Sequence, residues 1–467
     1  MVHLIARLPN ELLREICLFA STYDRFCPLR DLALVNKQIR QVAFPLLVRH
    51  WERDSSFQQP HLGLLALHLL RYPEHRSQVK TLNFMSPSTR KTNPRRQTLY
   101  DQSPVRLRPE SLAELARAAQ EALPNLVQSS NWIGTIQIGG FHAVAVLVMA
   151  WATRVTDVAM ELPRPYVDGQ MSGSHGMMMK FFYGAVQKVS TSGMPLAEVQ
   201  RLEIETWERE SRLDGVVAFP LSVFQLPKLK KFHIKHLEMT GSQDFPIPRG
   251  CSTVEELFLD CSKVTGAALR KLLATCSRLR VLHYVWFSVV QGAQRRAIRD
   301  ALIEEPGSLE ELRLDLKSYL SLNSFFILCF AAADNGMVIE KSFKSLSHLR
   351  KLTLDLEDLP PRIEDSRKFM PDLLTSQLPA SLEELTLTWG NRQMNCLEER
   401  LIALRGPDFW LSVVVVIKTL LEEAGPGCKF NKLRYLDVTQ ILVGSKEMEN
   451  VVELGRSKGV NVLEYTK

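Results

Sequence analysis

A six-residue pattern, apolar-x-x-apolar-x-apolar, recurs twelve times in this chain and constrains its fold more than any other feature. It starts at residues 79, 133, 155, 199, 229, 254, 279, 309, 349, 382, 433 and 460. The last three positions of a hexad alternate, as in Leu257-Phe258-Leu259, which is the period of a strand with one buried face. The residues after a hexad have helical spacing, as in Ala268, Leu269, Leu272 and Leu273. Starts at 254, 279 and 309 lie 25 and 30 residues apart, and strand, helix and strand in that length make parallel neighbours. The expected class is α/β, with residues 79–467 forming an irregular array of repeats, a curved parallel sheet inside and helices outside. Its 467 residues suit such an array better than one compact domain. Pro, Ser, Gly and charged stretches near 86–108, 168–179, 357–379 and 390–406 break the period and read as insertions.

Residues 1–50 form a helical head, and 51–78 a helical linker or cap. Pro9 stands where a first helical turn tolerates it, and Leu12, Leu13, Ile16 and Cys17 recur at helical spacing. Pro28 opens a second helix carrying Leu29, Leu32, Val35, Asn36, Ile39 and Val42, and Pro45-Leu46-Leu47 begins a short third one. On the first helix Leu12/Ile16 and Leu13/Cys17 form two neighbouring apolar stripes, more than so small a unit buries by itself. One face is therefore covered by the rest of the chain or by another protein.

Composition supplies exclusions. Lys+Arg exceeds Asp+Glu by 58 − 51 = 7, too weak a bias over this length to imply nucleic acid. Eight scattered cysteines without a C-x-x-C pair, and no N-x-[ST] sequon, fit a reduced cytoplasmic or nuclear setting. The first residues lack a leader's apolar core, and the runs at 143–152 and 410–417 are shorter than the roughly 20 residues of a membrane span. A soluble chain without membrane partners is the expectation.

The head resembles a known family. Leu8-Pro9-x-Glu11-Leu12-Leu13-x-Glu15-Ile16, then Leu32-Ala33-Leu34-Val35-Asn36-Lys37-x-Ile39-Arg40-x-Val42 and Pro45-Leu46-Leu47, is similar to the F-box, the motif by which substrate receptors dock on the Skp-type adaptor of cullin-RING ubiquitin ligases. The likeness covers about one tenth of the chain. The tryptophan many members carry after the third helix is represented by Trp51, behind Arg49-His50. The stretch from Val254 to Leu282, with Cys261, Val264-Thr265-Gly266 and Cys276, resembles the cysteine-containing leucine-rich repeat of F-box proteins, Cys261 standing one residue nearer its strand than usual.

The resemblance implies a non-catalytic substrate receptor of an SCF-type ligase, docked through Leu8, Pro9, Leu12, Leu13, Ile16, Leu32, Val35, Asn36, Ile39, Pro45 and Leu46, with cullin and RING subunits reached through the adaptor. A Skp-bound scaffold outside the cullin ligase is the alternative, and an α/β enzyme misread as repeats is a third. The residues between and after the apolar hexad positions would line the inner sheet face. From the sixth hexad these include Glu256, Phe258, Asp260, Glu311, Asp315, Asp355, Glu384, Tyr435 and Asp437 against Arg313 and Lys351, which suits a Lys/Arg-bearing target segment.

No phosphate-binding glycine loop, nucleophile elbow, H-E-x-x-H or kinase signature occurs, so no catalytic residue, cofactor or metal is expected. His233 and His283 fall at outward strand positions, as either catalytic or plain surface residues. Cys261 and Cys276 are expected to be buried and inert. His175, between glycines, lacks a second ligand at metal spacing. Arg90, Lys91, Arg95 and Arg96 read as a solvated run, an import signal or a phosphate site.

Overall fold

The computed structural model describes residues 8–22, 32–53, 61–85, 105–124, 126, 131–162, 166–167, 170–171, 173–187, 195–206, 221–239, 247–286, 292–305, 308–316, 343–355, 371–388, 407–439 and 446–463. The basic run at 90–96, most of the insertions near 86–108 and 357–379, all of that at 390–406, and the start of the second head helix lie outside them; the described end of 357–379 holds a short helix, Leu373–Gln377. The chain is mixed α/β and divides into two units, Met1–Phe232 and His233–Lys467.

The first unit opens with the head. Helix α1 (Asn10–Thr22) packs on α2 (Lys37–Leu47), with a helical turn at 32–35 between them. The expected second helix breaks at Asn36, whose extended backbone caps α2 and whose side chain accepts the Ile39 N–H at 2.7 Å. Nor does Pro45 open a third helix. It sits inside α2, which continues to Leu47. Leu13, Cys17, Ala33, Ile39, Ala43 and Leu46 form a closed core, and Gln38 Nε2 donates to Asn10 Oδ1 across the two helices.

Strand β1 (His50–Glu52) follows at once, then α3 (His61–Arg71) and β2 (Thr81–Asn83), which pairs with β1 in parallel. A strand thus lies in what the sequence presents as a helical linker, because β1 lacks the last apolar position of a hexad: Arg53 stands there. Helices α4 (Pro109–Ala122), α5 (Trp132–Gln137) and α6 (Phe141–Trp151) lead to β3 (Asp157–Glu161), and α7 (Gly173–Gln187) to β4 (Arg201–Glu205). Each strand pairs in parallel with the next, in register through Trp51, Leu82, Val158 and Leu202, all buried. Strand β5 (Lys231–Lys235) carries the boundary between the units.

Two expectations fail here. The hexad at 133–138 is helical: apolar residues three apart suit a helix as well, and the deciding pair is Trp132 and Ile136, four apart and fully buried, while Ile138 is exposed. The supposed insertion at 168–179 holds the first turns of α7, in which His175 is buried.

The second unit repeats one scheme. Strands β6 (Glu256–Val264), β7 (Val281–Trp286), β8 (Glu311–Asp315), β9 (Lys351–Asp355), β10 (Glu384–Thr388), β11 (Tyr435–Asp437) and β12 (Asn461–Leu463) pair in parallel in chain order. Their central apolar residues, Leu257, Leu282, Leu312, Leu352, Leu385, Leu436 and Val462, stand in register and are buried. Each such burial contributes about 1.5–3 kcal/mol, so the column is a substantial part of the unit's core. Helices α8 (Gly266–Thr275), α9 (Gly292–Glu304), α10 (Leu373–Gln377), α11 (Pro407–Glu422) and α12 (Lys446–Ser457) lie between the strands in sequence.

Tyr284 ties the first of these repeats together. Its hydroxyl donates to the Val264 carbonyl at 2.7 Å and accepts the Val264 N–H at 3.0 Å, inside the core. Tyr284→Phe leaves both backbone groups buried without a partner, and should cost about 1–3 kcal/mol in a denaturant titration. An unchanged midpoint would show that water reaches the site.

Candidate functional site

Two surfaces have the chemistry of contact sites. On α1, Leu13 and Cys17 face the core, whereas Leu12 is 51% exposed, Ile16 38% and Phe19 65%. These three lie four and three residues apart, on one side of a helix. Leu34 and Val35 are exposed on the neighbouring turn. Leu13, Ile39 and Leu46, expected at a docking surface, are buried in the head's own core, which removes them from any face a partner meets. Pro9 and Val35 are exposed with Leu12 and Ile16, while Leu8, Leu32, Asn36 and Pro45 are half-buried. Leu34 and Phe19 are additions. Phe19 continues the Leu12/Ile16 spacing and was legible from it.

The second surface is the open face of strands β6 to β11. Glu256, Phe258, Asp260, Glu311, Asp315, Glu384, Tyr435 and Asp437 all lie on it, half-exposed, with Arg313 and Lys351. Asp355 is in β9, but its side chain lies outside what is described. Register places Glu311 beside Lys351, Lys351 beside Glu384 and Glu384 beside Tyr435. Val285, the residue that follows the hexad at 279, is buried, next to a register shift between Tyr284 and Trp286.

Several of the carboxylates are already engaged. Asp260 Oδ2 lies 2.7 Å from His233 Nε2, Glu311 Oε1 2.6 Å from His283 Nε2, and Glu384 Oε1 2.8 Å from Lys351 Nζ. Asp437 accepts the Thr439 N–H. Burial pushes the Asp260 carboxyl up, but the hydrogen bond and charge of His233, with Lys235 and Arg313, outweigh it and hold it below its ordinary value. The face is therefore a ladder of carboxylates that already have hydrogen-bonding partners on it.

A second ladder runs just before the strands. Arg280 forks onto Glu310 at 2.9 and 2.8 Å, and Arg350 onto Glu383 at the same distances. The hydrogen bond from each arginine lowers the carboxyl below its usual range. A carboxylate with a depressed folded-state pKa stabilises above its unfolded pKa, and that contribution disappears as pH falls through the folded value. Wild type should thus exceed the Glu310→Gln, Glu383→Gln variant in melting temperature at neutral pH and converge with it at acid pH or in molar salt. A gap that persists in acid would assign the difference to packing.

Cys276 is buried, and burial pushes its thiol up to about 12, which keeps it protonated and unreactive at neutral pH. Cys261 departs from expectation: it is only half-buried, with a left-handed backbone at φ 46°. Among the described residues no group of three His, Cys, Asp or Glu side chains is placed to hold a metal ion, and no helix is long and apolar enough to cross a membrane. No family model matches the chain, and no curated protein matches it significantly.

Proposed function

We propose that the chain is a substrate-recognition subunit of an SCF-type ubiquitin ligase, with a head that docks on a Skp-type adaptor and an irregular leucine-rich-repeat solenoid that holds a target protein. The observation that carries this reading is the division of α1 into a core side, Leu13 and Cys17, and an open apolar side, Leu12, Ile16 and Phe19. A head with its own closed core has no internal use for the second stripe, and its residues match the F-box pattern. The chain-order parallel pairing of β6 to β12, with a polar open face, fits a receptor surface.

In this reading the chain contributes no chemistry and works by proximity. Holding a lysine-bearing target beside a ubiquitin carrier raises its effective concentration, so affinity and geometry suffice. It would act in the cytoplasm or nucleus, with cullin and RING subunits reached through the adaptor.

Affinity purification of the tagged full chain from its own cells, with mass spectrometry, tests the assignment. Adaptor, cullin and RING subunits together are the expected result. Adaptor alone would replace the ligase with a Skp-bound scaffold, and recovery of neither would reject both.

A further inference from the structure

Three rings stand in a row on the open strand face of the second unit. Phe258 lies between His233 and His283, with ring centroids 5.8 and 4.6 Å away and interplanar angles of 62° and 75°. Both imidazoles are held by carboxylates, His233 by Asp260 and His283 by Glu311. The four polar side chains remain between 21% and 35% exposed. Glu256 precedes Phe258 by two positions on the same face, and Asp315 follows Arg313 on β8. Four carboxylates, Glu256, Asp260, Glu311 and Asp315, therefore share this stretch with three cations, Lys235, Arg313 and Lys351, the last in register beside Glu311.

We infer that this row of rings receives an arginine or lysine side chain of the target segment, packed against Phe258. The inference rests on the receptor reading above and deepens it by naming the target's chemistry. A cation is attracted to an aromatic face, and the neighbouring carboxylates keep lone pairs for its N–H groups. The carboxylates of this stretch outnumber the Lys and Arg side chains beside them, which favours a cationic guest. A phosphorylated segment meets repulsion there. The histidines position the carboxylates on either side of the ring.

Selection of a displayed library of random twelve-residue peptides on the immobilised full chain tests this, with affinities of the enriched peptides then measured. Enriched peptides should carry Arg or Lys above library frequency and bind more weakly as salt rises. Phe258→Leu, which keeps an apolar side chain and the fold, should weaken them about threefold through loss of the ring face. Asp260→Asn with Glu311→Gln should weaken them about tenfold, with the melting temperature recorded for each variant. Acidic or neutral winners, winners indifferent to both variants, or no enrichment would overturn the inference. Adaptor binding by the same preparation separates the two readings: adaptor bound without cationic selection rejects the cation site alone, and cationic selection without adaptor rejects the docking proposal alone.

Discussion

Gly266→Ala should destabilise the second unit by about 3 kcal/mol, although alanine is the better helix former. Gly266 is the first residue of α8, and a Cβ built there would lie 2.4 Å from the backbone carbon and 2.5 Å from the carbonyl oxygen of Ala297 on α9. Those are main-chain atoms, so no rotamer change relieves the contact, and the helices must separate. Propensity favours alanine by less than about 1 kcal/mol, and the steric cost exceeds it. Thr265 caps the same helix by accepting the Ala268 N–H, so the Thr-Gly pair fixes where α8 starts and how closely α9 approaches. A chemical denaturation midpoint measures the change. A neutral or stabilising result would mean that the two helices do not pack this closely.

The double substitution Leu12→Asp, Ile16→Asp should leave the fold intact and abolish adaptor binding. Leu12 is half exposed and Ile16 more than a third exposed, so the free chain loses less than at a core position. If they are covered on docking, each contributes about 1.5–3 kcal/mol, and their joint loss, with two carboxylates placed in an apolar interface, weakens binding a hundredfold or more, roughly. The adjacent Leu13→Ala should do the opposite. Leu13 is 1% exposed, so its truncation costs the head about 2–5 kcal/mol of stability and affects binding only through unfolding. Circular dichroism melts and a pull-down on the same preparations distinguish the two. Equal binding by wild type and the double variant would rule out this face.

How far the sequence anticipates the structure depends on the range of the interactions concerned. The hexads at 254, 279, 309, 349, 382 and 433 fall on strands because their three apolar columns enter one core, and that spacing is local. The hexad at 133 misleads because its first two apolar positions fit a helix equally, and only the burial of Trp132, whose Nε1 donates to the Ala143 carbonyl, settles it. Strand β1 escapes notice because Arg53 replaces the last apolar residue. In the head, the two stripes of α1 are legible as a surplus, but assigning Ile39 and Leu46 to the inside requires knowing how α2 leans on α1. On the strand face, composition gives the carboxylates and register gives their partners: Glu311 and His283 are 28 residues apart in sequence and meet only because β7 and β8 pair.

The central claim is that the head docks on a Skp-type adaptor, and the most direct measurement is titration of the purified full chain with the purified adaptor by calorimetry. The account predicts saturable one-to-one binding that disappears with Leu12→Asp, Ile16→Asp while the variant keeps its melting temperature. Absence of binding by the correctly folded wild-type chain would contradict it.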